Sequence, residues 1–229
     1  MKENVVFISG TNGASGAVIT RQFLETGATV IGASRSISSR DFQESNFFPL
    51  AADFTNPVAV RQAVESCVTR FGKLDILVHV LGGFAGGRSV AETEDATWEQ
   101  MRDLNLTAAF YFFRAAIPHL RKSGRGRIIA IGSQTATQAH PGLGGYVTFK
   151  AAMQVLVQTV ALENKDAGLT ANVLLPGTID TPANRRSMPG GDFSKWIQPG
   201  IVADLVLWLA DERASHITGA GISIDGSNV

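Results

Sequence analysis

Short apolar runs alternate with amphipathic stretches along the chain, and that alternation leaves few folds open. "NVVFISG", "ATVIGAS", "FFPLAAD", "LDILVHVLGG", "GRIIAIGS", "LTANVLLPG" and "AGISIDG" each read as a strand. Several are apolar on both faces, as a strand must be when layers cover its sheet from both sides. Between them lie helical patterns at Ala14 to Thr26, Pro57 to Phe71, Asp95 to Arg121, Gly145 to Lys165 and Ile201 to Ala210. From Val60 the apolar positions fall at i, i+3, i+4, i+7 and i+8, and Met153, Leu156, Val157, Val160 and Ala161 form a similar stripe. Strands and helices taken in turn predict a doubly wound α/β fold on a parallel sheet. A chain of 229 residues suits one domain over 1–229 better than two small ones. The one long irregular stretch is Gly177 to Gly200, and loops of that length tend to carry function.

Charge narrows the partners. Twenty basic residues balance twenty acidic ones, so no electrostatic excess points to nucleic acid or an anionic membrane. The start, "MKENVVFISG", has too short an apolar run for a signal peptide, and no stretch approaches the ~18 apolar residues of a membrane span. The single cysteine, Cys67, falls on an apolar helical face with Val60, Ala63, Val64, Val68 and Phe71, where core packing is its expected role. One cysteine suits a reducing compartment, so a cytoplasmic protein is predicted. Four scattered histidines give no metal-ligand spacing. A small-molecule substrate remains.

"SGTNGASGAV" joins the first strand to the first helix, with Gly10, Gly13 and Gly16 as its glycines. Such a turn lets backbone approach a pyrophosphate held at a helix N-terminus. Glycines also serve ordinary tight turns; the position at the first strand–helix junction favours the phosphate. The second strand ends in Ser34 and Arg35, where NAD-binding folds carry an acid. A guanidinium there suits a 2′-phosphate and predicts NADP(H) over NAD(H), a solvated surface arginine being the alternative. Asp53 ends the third strand, either facing an adenine or capping the next helix, with Thr55 the other candidate cap.

"YVTFK" places Tyr146 and Lys150 four residues apart, hence on one helical face. A phenol of pKa ~10 is a poor base near neutrality. A fixed ammonium beside it favours the phenolate and lowers that value. The phenol can then exchange a proton with a carbonyl or alcohol oxygen. An interfacial Tyr beside a snorkelling Lys has the same spacing. Ser133, just past "RIIAIG" and thirteen residues before Tyr146, can hold the substrate oxygen; alone it would pass for a turn serine.

Together these residues resemble the short-chain dehydrogenase/reductase family. The likeness runs from the glycine turn through Asp53, Asn105 in "DLNLTAAF", Ser133, Tyr146 and Lys150 to "LLPGTIDTP" and "ITGAGISIDG". It implies a Rossmann fold with seven strands in the order 3-2-1-4-5-6-7 and nicotinamide chemistry. It implies Tyr146 as acid/base, Ser133 positioning the oxygen, Lys150 lowering the Tyr pKa, and Asn105 holding a water that links Lys150 to solvent. On spacing alone Asn105 is equally a satisfied buried amide. The implied cofactor seat comprises Gly10, Asn12, Gly13, Ala14, Ser15, Gly16, Ser34, Arg35, Asp53, Phe54, Gly82, Tyr146, Lys150, Pro176, Gly177, Ile179 and Thr181. A homodimer or homotetramer is expected through the helices Asp95–Arg121 and Gly145–Lys165, since "AAFYFFRAAI" is apolar nearly all round.

Some residues depart from the family pattern. Ala14 replaces the middle glycine of the common Gly-x-x-x-Gly-x-Gly, and "HVLG" from His79 to Gly82 replaces "NNAG". His79 is expected to be structural. "GGFAGG" and "DTPANRRSMPGGDFSKW" look like the quinonoid dihydropteridine reductase branch, but that branch usually lacks a hydroxyl at the Ser133 position. In the second stretch Arg185 or Arg186 is either a solvated charge or a contact to phosphate or an anionic substrate. The leading expectation is an NADP(H)-dependent reductase of a small ketone, a 3-oxoacyl group among the candidates. A pterin reductase and a non-catalytic NADPH-binding redox sensor are the alternatives.

Overall fold

The structure, a computed structural model, describes residues 1–226. Seven parallel strands form one sheet: β1 Val5–Ser9, β2 Thr29–Ser34, β3 Phe47–Ala51, β4 Ile76–His79, β5 Arg127–Ile131, β6 Thr170–Pro176 and β7 Gly221–Ile224. Their order, β3-β2-β1-β4-β5-β6-β7, is the one the family resemblance implied. Side chains alternate across each strand, so every strand feeds two cores. In β1, Val5 and Phe7 pack toward one layer, Val6 and Ile8 toward the other. Helices α1 (Ala14–Glu25) and α7 (Pro199–Ala210) cover one face. On the other lie α2 (Pro57–Phe71), α4 (Ala108–Lys122) and α5 (Gly144–Glu163). Cys67 is buried in that second layer, and burial pushes its thiol up to about 12. Among the described residues no helix is long and apolar enough to cross a membrane.

Four local expectations change. Strand β4 is shorter than "LDILVHVLGG": the Val80 N–H is shared between the Ser9 carbonyl at 3.1 Å and the Ser9 hydroxyl at 3.2 Å, and the Leu81 N–H goes to that hydroxyl at 3.3 Å. The long helix from Asp95 is broken into α3 (Asp95–Arg102), a π turn over Asp103–Thr107, and α4. Such π turns often sit at functional sites. Asn56, and neither Asp53 nor Thr55, caps α2: its side chain accepts from the Val58 and Ala59 N–H groups. The stretch 177–200 is less irregular than expected. Thr181 caps a short helix α6 (Pro182–Ser187), and Ile179 pairs with Ile197. A Thr-Pro start is a sequence signal for that helix, since proline suits a first helical position.

The aromatic run in α4 divides as an all-round apolar helix must. Phe112 and Phe113 are fully buried, Tyr111 is half-buried and Phe110 is 42% exposed. On α5 the exposed residues include Val155 and Leu162.

Candidate active site

The carboxyl ends of β1, β2 and β4 open into a cleft of about 620 Å³. Its floor is the glycine turn. Gly10 has φ +76°, and a Cβ there would lie 2.8 Å from the Leu81 nitrogen; a Cβ on Gly16 would meet the Gly10 carbonyl oxygen. Both positions need glycine for close approach. Gly13 starts α1 without a side-chain cap, so the first N–H groups of the helix lack a helical acceptor where Ala14, Ser15 and Gly16 line the cleft. Asn12 fixes the turn across to β2: its N–H donates to Ser34 Oγ at 3.2 Å and its Nδ2 to Ser36 Oγ at 2.9 Å. Bare N–H groups, a helix dipole and a glycine surface fit a pyrophosphate.

Arg35 is exposed on the cleft wall beside Ser34, Asp53 and Phe54, and it forms no ion pair among the described residues. Asp53 accepts from Thr55 N–H and Oγ1 at 3.0 and 2.7 Å. Those bonds hold its carboxyl below the usual range, with Arg35 adding a smaller pull. Thr181 and Gly82 also line the cleft. Pro176, Gly177 and Ile179 do not: Pro176 is buried in β6, the Gly177 N–H donates to the Ile224 carbonyl, and Ile179 turns to the apolar layer near Ile197. Residues outside the expected set complete the walls. Ser36 and Thr55 are chain neighbours of expected residues, and Val80, Leu81 and Ala183 adjoin them closely. Gln100, Asp103 and Leu104 come from the α3 end and the π turn, and no sequence signal marked them.

Gly82 joins the cleft to a second cluster. A Cβ there would lie 3.0 Å from Asn105 Oδ1 and 3.1 Å from Lys150 Nζ. Lys150 is buried, donates to the Ile131 carbonyl at 2.9 Å, and is pulled down to about 8 by burial. Ser133 follows two residues after Ile131, so the end of β5 holds both groups. Ser133 Oγ lies 2.8 Å from Thr135 Oγ1 and accepts from the Thr135 N–H at 3.3 Å, with the Tyr146 side chain close enough to feel the hydroxyl. Ser133 and the Lys150 anchor thus share the end of β5, and Tyr146 stands one turn before Lys150 on α5.

The direction of the Tyr146 shift reverses the sequence argument. Burial pushes its phenol above the usual range, with the nearby Ser133 hydroxyl pulling the other way. The Lys150 ammonium points to Ile131 and is itself weakened by burial, so it does not dominate. Asn105 is found as a satisfied buried amide: Oδ1 accepts from Gly83 N–H at 3.2 Å, and Nδ2 donates to the Gly83 and Met101 carbonyls at 2.9 and 3.1 Å. It clamps the Gly82–Gly87 loop to the π turn. His79 is structural in its contacts. Nδ1 lies 3.0 Å from Ser9 Oγ, the ring packs between Phe112 and Phe113, and burial, with Lys150 nearby, drives its pKa to about 3. Arg185 is committed: it forms a two-pronged bond to Asp180 at 2.6 and 2.7 Å and lies over the Phe193 ring. Arg186 is exposed.

Comparison with known proteins now bears on this geometry. A family model described as enoyl-(acyl carrier protein) reductase matches residues 13–227. The D-beta-hydroxybutyrate dehydrogenase of Rhizobium meliloti is 31% identical, over 96% of this chain and 96% of its own. The chain belongs to the short-chain dehydrogenase/reductase family. Like its relatives in that family, it is an oxidoreductase acting on CH–OH and C=O groups. A 3-oxoacyl-(acyl-carrier-protein) reductase of Vibrio cholerae is 27% identical, over 99% of this chain and 97% of its own. Among solved structures, "ElxO with NADP Bound" has TM-score 0.91 at 27% identity, covering 99% of this chain and 98% of that one. The 3-ketoacyl-(acyl-carrier-protein) reductase of Brucella melitensis complexed with NADH has TM-score 0.89 at 25% identity, covering 98% and 97%. The dihydropteridine reductase likeness finds no support in these matches.

Proposed function

We propose that this short-chain dehydrogenase/reductase is an NADP(H)-dependent enzyme interconverting a small ketone and its secondary alcohol. The observation that carries the proposal is the convergence of Ser133 at the end of β5, Tyr146 on α5 and the buried Lys150, held to the Ile131 carbonyl, where the glycine-floored cleft ends at Gly82. A bound nicotinamide supplies the hydride. Gly10, Asn12, Gly13, Ala14, Ser15 and Gly16 would hold its pyrophosphate, with Ser34, Arg35, Asp53 and Phe54 on the adenosine side and Gly82, Tyr146, Lys150 and Thr181 on the other.

The remaining chemistry belongs to the chain. Ser133 donates to the substrate oxygen and fixes its place beside the Tyr146 hydroxyl. Tyr146, kept neutral by burial, releases its proton to that oxygen as the ketone is reduced. Lys150 then stabilises the phenolate left behind, where charge has newly formed. The serine hydroxyl favours a ketone over a quinonoid pterin. Relatives named as 3-oxoacyl reductases and a hydroxybutyrate dehydrogenase support an oxo or hydroxy group on an acyl chain as one substrate class. The test is NADPH oxidation, followed by absorbance, with ketones, 3-oxoacyl thioesters and quinonoid pterins. Turnover of a ketone is expected; binding without any turnover would leave a redox sensor.

Solved neighbours carry either NADP or NADH, so the preference rests on Arg35. Arg35→Ala should raise the Michaelis constant for NADPH at least ~10-fold more than that for NADH, since only the 2′-phosphate distinguishes them. Equal effects on both cofactors would instead indicate lost folding or packing.

Self-association belongs to the same proposal. Phe110 on α4 and Val155 and Leu162 on α5 leave apolar surface outward on adjacent helices, as a two-fold interface between copies requires. Light scattering at micromolar concentration should give a dimer or tetramer. A monodisperse mass near 24.3 kDa would refute it.

A further inference from the structure

The Gly82–Gly87 loop has four glycines and one large side chain, Phe84. That ring is 64% exposed, yet it is not loosely placed. Asn105 grips the Gly83 backbone through both N–H and carbonyl, and the Gly87 N–H donates to the Gly142 carbonyl at 2.8 Å. Behind the ring, a Cβ on Gly86 would run into Leu143 and lie 3.4 Å from Phe84 Cζ, so the loop is closely fitted there. The ring meets that of Tyr146 edge-to-face, with centroids 5.0 Å apart at 74°. An aromatic surface is thus held open to solvent against the ring of the tyrosine assigned to proton transfer. The loop offers no unpaired cation with it. Arg88, just beyond, is bonded to Glu94 at 3.1 Å, and Arg185 in the 177–200 segment is bonded to Asp180.

We infer that Phe84 determines specificity, and that the substrate is an uncharged ketone with a flat ring, aryl or cyclic, next to its carbonyl. The ring stacks on Phe84 while the oxygen reaches Ser133 and Tyr146. Aromatic pairs gain from offset or edge contacts beyond the area they bury. A flat rigid partner also loses less freedom on binding than a flexible acyl chain. This inference rests on Tyr146 as the proton donor, and it adds a substrate class to that assignment.

The experiment compares acetophenone with 2-butanone, using NADPH, for wild type, Phe84→Ala and Phe84→Leu. Phe84→Ala should lower kcat/KM for acetophenone ~10-fold, mostly through KM, and change 2-butanone less than ~2-fold. Phe84→Leu restores apolar bulk without the ring and should recover only part of the loss. Equal losses with both ketones, or full recovery by leucine, would overturn the stacking role. NADPH affinity, read by fluorescence, should not change. If wild type turns over neither ketone, saturation-transfer NMR of acetophenone on the NADPH-bound protein decides. A signal lost in Phe84→Ala supports the inference, and an equal or absent signal overturns it. Tyr146→Phe run alongside separates the two assignments: unimpaired turnover there removes the proton donor, whatever Phe84 does.

Discussion

Tyr146→Phe should leave the chain folded and cut ketone turnover by ~10²–10⁴-fold, the usual contribution of a positioned acid–base group. The substitution removes one hydroxyl and keeps the ring, so the edge-to-face contact with Phe84 survives. Ser133 keeps its partner Thr135 at 2.8 Å, so the stability cost of removing the phenol hydroxyl should not exceed the about 0.5–1.5 kcal/mol of one hydrogen bond. Cofactor affinity should fall little, since the glycine turn and Arg35 are untouched. The defect should appear in kcat and kcat/KM together, because the lost interaction matters only as the proton moves. Steady-state kinetics with a verified ketone, a thermal melt and an NADPH titration separate these effects. Near wild-type turnover would remove Tyr146 from the mechanism.

What the sequence revealed and what it concealed divide along a physical line. Strands apolar on both faces, the glycine turn and the Tyr-x-x-x-Lys spacing are local patterns with one dominant structural solution each. The sheet, its cleft and the Ser133–Tyr146–Lys150 grouping therefore follow closely. The missed features depend on partners distant in the chain. β4 ends where Ser9, some seventy residues earlier, takes the next two N–H groups. The π turn at Asn105 appears where that amide grips Gly83, across twenty-two residues. Asp53 read either as an adenine contact or as a cap; it lines the cleft, its carboxyl is satisfied by Thr55, and Asn56 caps the helix. Arg185 read equally as a solvated charge or as a phosphate or substrate contact, and its pairing with Asp180 over the Phe193 ring needs a fold that its own stretch does not reveal. Most instructive is the Tyr146 phenol. The four-residue spacing shows that Lys150 is near, but the direction of its ammonium and the degree of burial decide the shift, and both are tertiary.

Lys150→Met should abolish most activity and at the same time make the protein more stable. Burial lowers the lysine from the usual 10.5 to about 8, so at neutral pH the fold holds a charge it disfavours by about 3 kcal/mol. Methionine fills similar volume without the charge. Losing the donor to the Ile131 carbonyl gives back about 1–2 kcal/mol, which leaves a net gain near 1–2 kcal/mol. For a chain of this size that is a rise in Tm of roughly 3–6 °C. The sign has a pH signature. The unfolded lysine binds its proton up to ~10.4, the folded one only to about 8, so wild-type stability should climb between those values as the unfolded state holds more protons. The variant should lack that climb. Ketone reduction by the wild type should correspondingly fall above about pH 8, as the ammonium that steadies the Tyr146 phenolate loses its proton. Melts and kcat/KM measured from pH 6.5 to 9.5 test both halves. A less stable Lys150→Met protein would show that the ammonium's hydrogen bond outweighs its burial; unchanged turnover would show that the phenolate needs no neighbouring charge.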